Sequence, residues 1–273
     1  MKFKLAAFAD EADGNLDKQI SAMIENNIEY LEIRGVDGEN IADISTQKAQ
    51  EIHKKLTDSG LSVWSVGSPY GKIGIGDDFA PHLEKFKRGI ELANILGAKH
   101  MRIFSFYVPS GNADSYAEEV MSHMDKFLAS ARGSGVILCH ENEKGIYGDI
   151  ATRCAEIHKN FPEIKAVFDP ANFIQCGQDT KAAWEILFPY VEYMHIKDAL
   201  NDGSVVPAGK GMGNIPFLLE NYNGKVLTIE PHLSVFSGFE NLERDNENVH
   251  RKYCYATSRE AFDAAVSALK ELL

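Results

Sequence analysis

Four stretches of the sequence each end a run of branched and aromatic residues on a group able to hold a cation: Glu141 in "VILCHEN", Asp169 in "AVFDPAN", His195 in "VEYMHIKD" and Glu230 in "VLTIEPH". Taken singly, each has an ordinary reading. A carboxylate after a strand usually caps a helix or lies in solvent, "FDPAN" fits a simple Asp-Pro turn, and a histidine among apolar neighbours usually belongs to the core. Together they share one address, the end of a strand run, and that points to one site. Three carboxylates converging in a low-dielectric pocket repel, and some would have to protonate. A divalent cation removes the conflict. One imidazole with three carboxylates, leaving room for water or substrate oxygens, suits Mn2+, Mg2+, Co2+ or Zn2+, with Mn2+ favoured by the oxygen-rich set. Sulfur and nitrogen ligands are too few for a closed structural zinc site.

The elements that must position these groups alternate along the chain. β-rich runs recur at "FKLAAFA", "YLEIRGV", "LSVWSVG", "HMRIFSF", "VILCHE", "IKAVFD", "VEYMHIK" and "KVLTIEP". Between them, and after the last, lie segments with apolar residues at three and four spacing: "LDKQISAMIENN", "TQKAQEIHKKLTDSG", "HLEKFKRGIELANILG", "AEEVMSHMDKFLASARGSG", "IATRCAEIHKN", "TKAAWEILFPY" and "SREAFDAAVSALKELL". Gly60, Gly97 and Gly135 stand where a helix must stop before the next strand. Eight such units, at about 34 residues each, predict a (β/α)8 barrel, with 1–273 as a single domain. An open doubly wound sheet is the lesser reading, because the first turn, "AFADEADGN", lacks GxGxxG.

Two connections, "DALNDGSVVPAGKGMGN" and "HLSVFSGFENLERDNENVHRKYCYAT", are long enough to carry function, and in a barrel both lie on the catalytic face. Within the second, the loop 233–256 reads as a lid, a contact in a homo-oligomer or a solvated excursion. A formal net charge of −12 disfavours a nucleic-acid partner. The four cysteines form no CxxC pair, the N-terminal apolar stretch is too short for a signal peptide, and no run could span a membrane, so a cytoplasmic protein is expected.

"EN" after strand five, "FD" followed by "AN" after strand six, "HIKD" after strand seven and "IEPH" after strand eight resemble, in that order and over essentially the whole chain, the xylose isomerase-like TIM-barrel superfamily. The likeness is to its sugar (phosphate) isomerase/epimerase branch, which includes tagatose 3-epimerase-like enzymes and is related to the second family of AP endonucleases. The resemblance implies that Glu141, Asp169, His195 and Glu230 bind a divalent metal and that Glu141 and Glu230 are also the acid/base pair. It implies a small carbohydrate substrate and proton transfer through a metal-stabilised enediolate. A sugar-acid or inosose-type dehydratase or lyase could use the same metal site, and a barrel that binds a metabolite without turnover is a further alternative. Asn172 stands where some epimerases of the family carry a histidine, and it could hydrogen-bond a sugar hydroxyl but not relay protons in the same way. The endonuclease branch adds histidines after strands three and four, where this chain has "VGSPYG" and "FSFYVP", so a multinuclear zinc site for DNA repair is not expected.

Other residues complete the expectation. Glu32 and Arg34 share one strand face and read as an ion pair at the barrel mouth, with Arg34 also a substrate-binding candidate. Arg102 reads as an interior ion-pair residue. Lys197 and His232 are candidates for substrate binding, Lys197 also as a carboxylate partner. In "AGKGMGN", Gly209, Gly211 and Gly213 surround Lys210, a candidate for phosphate, although the P-loop spacing is absent and a tight turn against the substrate fits better. His140 and Glu143 are given supporting roles.

Overall fold

The computed structural model describes residues 2–235 and 253–273. Eight strands, β1 Lys4–Ala7, β2 Tyr30–Ile33, β3 Ser62–Gly67, β4 His100–Ile103, β5 Ile137–Glu141, β6 Lys165–Phe168, β7 Val191–Ile196 and β8 Val226–Ile229, each fall within one of the expected runs. They pair in parallel in chain order, and β8 closes on β1 with Lys4 opposite Val226 and Ala7 opposite Ile229. The fold is a (β/α)8 barrel. Among the described residues, no helix is long and apolar enough to cross a membrane. The expected lid or oligomer contact falls mostly on residues 236–252, outside the described residues.

The helices are α1 Leu16–Glu25, α2 Thr46–Asp58, α3 Phe79–Leu96, α4 Ala117–Ala131, α5 Ala151–Asn160, α6 Pro170–Gln175, α7 Thr180–Leu187, α8 Ile215–Asn221 and α9 Ser258–Lys270. Asn15, Ser45, Asp78, Asp179 and Thr257 start five of them by accepting a backbone N–H of the first turn. Gly97 ends α3 in the left-handed conformation that a C-cap needs. Gly135 does not end α4, which stops at Ala131; the "RGSG" stretch is a separate turn in which Gly133 and Gly135 both take positive φ. Two short helices, α6 and α8, have too few residues to show a period and were not anticipated.

Strand side chains alternate between two destinations. One set packs outward against the helices in the main apolar core. The other fills the barrel, where Ala6, Cys139, Val167, Tyr193 and Val226 plug the interior with Tyr30 and Trp64 packed against them. Beyond this plug the same inward alternation delivers Glu32, Arg102, Glu141 and His195, all buried. A small apolar floor thus carries a charged layer at the C-terminal ends of the strands.

Packing is close where α3 meets the loop after β3. A Cβ on Gly89 would lie 2.3 Å from the hydroxyl oxygen of buried Tyr70 and 2.4 Å from its ring. Alanine favours a helix over glycine by about 1 kcal/mol, but overpacking costs about 1–3 kcal/mol. Gly89→Ala is therefore expected to lower stability in denaturant unfolding, and an increase would show that Tyr70 can move aside.

Candidate active site

Glu141 is the last residue of β5, Asp169 follows β6, His195 lies one residue before the end of β7, and Glu230 follows β8. The structure brings one ligand-type atom from each within 4.8 Å of the others, and all four residues are buried. His195 Nδ1 is 3.1 Å from Glu141 Oε1, 3.4 Å from Glu230 Oε2 and 4.0 Å from Asp169 Oδ2. Three cations neutralise the carboxylates. Arg102 Nη1 lies 3.2 Å from Glu141 Oε2, Lys197 Nζ bridges Asp169 Oδ2 at 2.8 Å and Glu230 Oε2 at 3.0 Å, and Arg34 Nη1 is 3.5 Å from Glu230 Oε1.

These contacts decide the protonation states. Burial pushes the Glu141 carboxyl up, but His195 and Arg102 outweigh it and hold the group at about 2. Burial acts likewise on Glu230, and Lys197 and His232 hold it well below the usual range. Asp169 moves the other way, to about 7, because burial, reinforced by the charges of Glu230 and Glu141, exceeds the help of Lys197. Burial alone would lower His195, yet Glu141 and Glu32, on its two ring nitrogens, carry it well above an ordinary imidazole.

Asp169 serves as a helix cap and as a member of the cluster with different atoms. Its Oδ1 accepts the Asn172 backbone N–H at 2.9 Å and starts α6, with Pro170 at the first helical position. Its Oδ2 is buried against Lys197 Nζ, as Glu141 Oε2 is against Arg102 Nη1. Each of these acceptors has only a cationic side chain as its close counter-charge. The donor set, with these two buried oxygens met only by cations, fits a divalent ion held by Glu141, Asp169, His195 and Glu230.

The supporting residues divide. Lys197 is a carboxylate partner, buried between Asp169 and Glu230. Arg102 is an interior ion-pair residue, with its guanidinium 5.2 Å from the Phe8 ring and 4.8 Å from the Phe104 ring. Arg34 and His232 line a 170 Å³ cavity above Glu230, together with Asn40, Lys72, Arg102 and Glu143. Glu143 pairs with Lys72 at 2.9 Å across this mouth. His140 points away, bonded to Ser105 Oγ at 2.9 Å and held by burial at about 3. A larger groove of 280 Å³ lies near the opposite ends of the strands, between Phe3, Leu219 and Leu272, far from this chemistry.

Three expectations need correction. Glu32 and Arg34 do not pair with each other: Arg34 turns to Asp10 at 2.8 Å and Glu11 at 3.1 Å, while Glu32 is held by Tyr193 and His195. Asn172 is buried and donates its side-chain amide to Glu141 Oε1 at 3.1 Å and to the Asn142 carbonyl at 2.9 Å, so its N–H groups hold the site's frame and are not left to donate to a sugar hydroxyl. Lys210 is exposed and absent from the mouth. The N–H groups of Gly209, Gly211 and Gly213 that could have cradled a phosphate all donate to the Asp198 carboxylate, at 3.0, 3.0 and 2.7 Å. A Cβ on Gly211 would lie 2.3 Å from that carboxylate, so the glycines are there to let the loop wrap Asp198.

Asp10, Glu11 and Asp198 were missed as members of this assembly, and Glu32, expected at the mouth, was given the wrong partner. The rule that found the four ligand-type residues, an ionisable group closing a strand, would also have found Asp10 and Glu11 after β1. Nothing local marks Tyr193 and His195 as the partners of Glu32, because they lie across the barrel.

The xylose isomerase-like TIM barrel family model matches residues 21–233, and the chain belongs to that family. No curated protein matches the sequence. Among solved structures, the IOLI protein with a bound zinc superposes with a TM-score of 0.74 at 15% identity, over 99% of this chain and 98% of that one. A D-tagatose 3-epimerase-like protein gives 0.73 at 16% identity, over 99% and 97%. The 3-keto-D-glucoside 4-epimerase YcjR from E. coli, in its apo form, gives 0.68 at 16% identity, over 100% and 98%. At these identities the likeness shows the shared barrel.

The wrapped carboxylate yields a stability test. Asp198→Ala strips the acceptor from three glycine N–H groups and from that of Ala199, and is expected to cost about 2–4 kcal/mol in denaturant unfolding. Asp198→Asn, which keeps one acceptor oxygen, should cost less, and Lys210→Ala should change stability by less than about 0.5 kcal/mol. Equal stability of Asp198→Ala and wild type would remove the structural role assigned to this loop.

Proposed function

We propose that the chain is a divalent-metal-dependent isomerase or epimerase that acts on a sugar or sugar phosphate by proton transfer at a carbon next to a carbonyl. The convergence of Glu141, Asp169, His195 and Glu230 within 4.8 Å at the barrel mouth carries this reading. Likeness to a zinc-bearing barrel and to epimerases supports it. These four residues would hold the ion, with Mn2+ favoured by three carboxylates and Mg2+, Co2+ or Zn2+ also suited. When bound, the ion supplies Lewis-acid polarisation of adjacent carbonyl and hydroxyl oxygens of the substrate.

The chain's own groups do the rest. Glu141 and Glu230 come from β5 and β8, with β6 and β7 between them, so they approach a substrate from different sides. Both carboxylates are held ionised, the form in which a general base must start. One takes it from carbon; the other returns it to the opposite face for epimerisation, or the proton moves to the neighbouring carbon for isomerisation. Asn172 holds Glu141 in place, while Arg102 and Lys197 keep the mouth's charge in balance. Arg34 and His232, on the cavity wall beside Glu230 Oε1, are placed to meet substrate oxygens. Four free cysteines fit a cytoplasmic setting.

Purified protein should carry about one divalent ion per chain, as a single four-ligand site requires. In a deuterium wash-in screen over ketoses, aldoses and their phosphates, Glu141→Gln and Glu230→Gln should each slow exchange by at least about 100-fold, the usual scale of a general base. Undiminished exchange in both variants would rule out this acid/base pair. Loss of water from a substrate would reassign the site to a dehydratase or lyase, and a sugar that binds without any exchange would reassign it to a binding barrel.

A further inference from the structure

Glu32 is fully buried inside the barrel. Its Oε1 accepts the Tyr193 hydroxyl at 2.7 Å and the Ser65 hydroxyl at 3.4 Å, and its Oε2 lies 3.1 Å from His195 Nε2. A carboxylate in such a place is costly unless paired and hydrogen-bonded. Here its partner stands across the barrel, since β1 and β8 separate β2 from β7 in the sheet. Two features of the strands make the contact. Tyr193 and His195, two residues apart on β7, face the same way. The β2–β3 register skips a residue, pairing Leu31 with Val63 but Glu32 with Ser65, which passes over Trp64 and turns Ser65 inward beside Glu32.

A carboxylate that accepts hydroxyl donors at one oxygen and faces a ring nitrogen with the other needs a proton on that nitrogen. The lone pair of the neutral ring then belongs to Nδ1, the atom facing Glu141, Asp169 and Glu230. We propose that Glu32 is a positioning residue: it holds His195 in the Nε2–H form and aims Nδ1 at the ion, with Tyr193 and Ser65 fixing the carboxylate in turn. The inference rests on the metal-site reading above. Outer partners of this kind set both the orientation and the donor strength of a metal-binding imidazole.

Wild-type and Glu32→Gln proteins, labelled with 15N-histidine and loaded with Zn2+, can be compared by two-bond 1H–15N correlation spectra and by Zn2+ affinity against a chelating dye. The His195 signals are assigned as those lost in His195→Gln. The expected spectrum of the wild type has the ion on Nδ1 and a proton on Nε2. Glu32→Gln should bind Zn2+ about 10- to 100-fold more weakly, and Tyr193→Phe, which removes one anchor of the carboxylate, should weaken binding by a smaller factor. A proton on Nδ1 in the loaded wild type would overturn the proposal, and that spectrum decides even if Glu32→Gln does not fold. Affinity in a folded Glu32→Gln within about twofold of wild type, far short of the usual outer-partner effect, would also overturn it. Failure of the wild type to bind Zn2+ would remove the site itself, whereas equal binding by both proteins would remove only the role of Glu32.

Discussion

Four carboxylates, Glu32, Glu141, Asp169 and Glu230, are buried together at the end of one narrow barrel. Two unit charges 4 Å apart repel by about 4 kcal/mol at the effective dielectric typical of a protein interior, so such a group cannot persist without counter-charges. Much of the interior follows from this. Lys197 bridges Asp169 and Glu230, Arg102 answers Glu141, Arg34 reaches Glu230 from the rim, and His195 stands between Glu32 and Glu141. Strands β2, β4, β5, β7 and β8 and the segment after β6 are tied by these pairs at the end of the barrel that the apolar plug leaves open.

Such a network is a weak source of net stability, because the desolvation of each ion offsets much of the attraction. Its loss in part is another matter: removing a single partner leaves a buried charge without an answer. The arrangement is therefore better understood as a constraint that holds several functional atoms in place than as a contribution to folding. The apolar floor of Tyr193, Cys139, Val167 and their neighbours, together with the outer core between strands and helices, supplies the burial on which the charged layer rests.

The strands, the barrel and the four converging residues were legible in the sequence because period-two alternation and strand ends are local signals. What the sequence did not disclose depends on contacts between distant positions. Tyr193 meets Glu32 across 161 residues, and His195 meets it across 163, so Arg34, only two positions away from Glu32, was the obvious partner and the wrong one. The glycines around Lys210 suggested a tight turn against the substrate, with phosphate as the lesser reading, but what their N–H groups meet is the chain's own Asp198. Asn172 was legible as polar and near the site, yet which way its amide points depends on α6, a helix of six residues with no period to read.

Asp169 places two selective pressures on one side chain through separate oxygens, one starting α6 and the other facing the cluster. In a lineage that lost the chemistry, the helix would still favour aspartate or asparagine at this position, and the residue would survive as a relic of architecture. An aspartate found here in a distant barrel is thus poor evidence of a working site, whereas Glu141 and Glu230 cap none of the described helices and are kept by their ion pairs with Arg102, Lys197 and His195. The fold keeps one member of the cluster for reasons that need no chemistry, and the glutamates are the better witnesses.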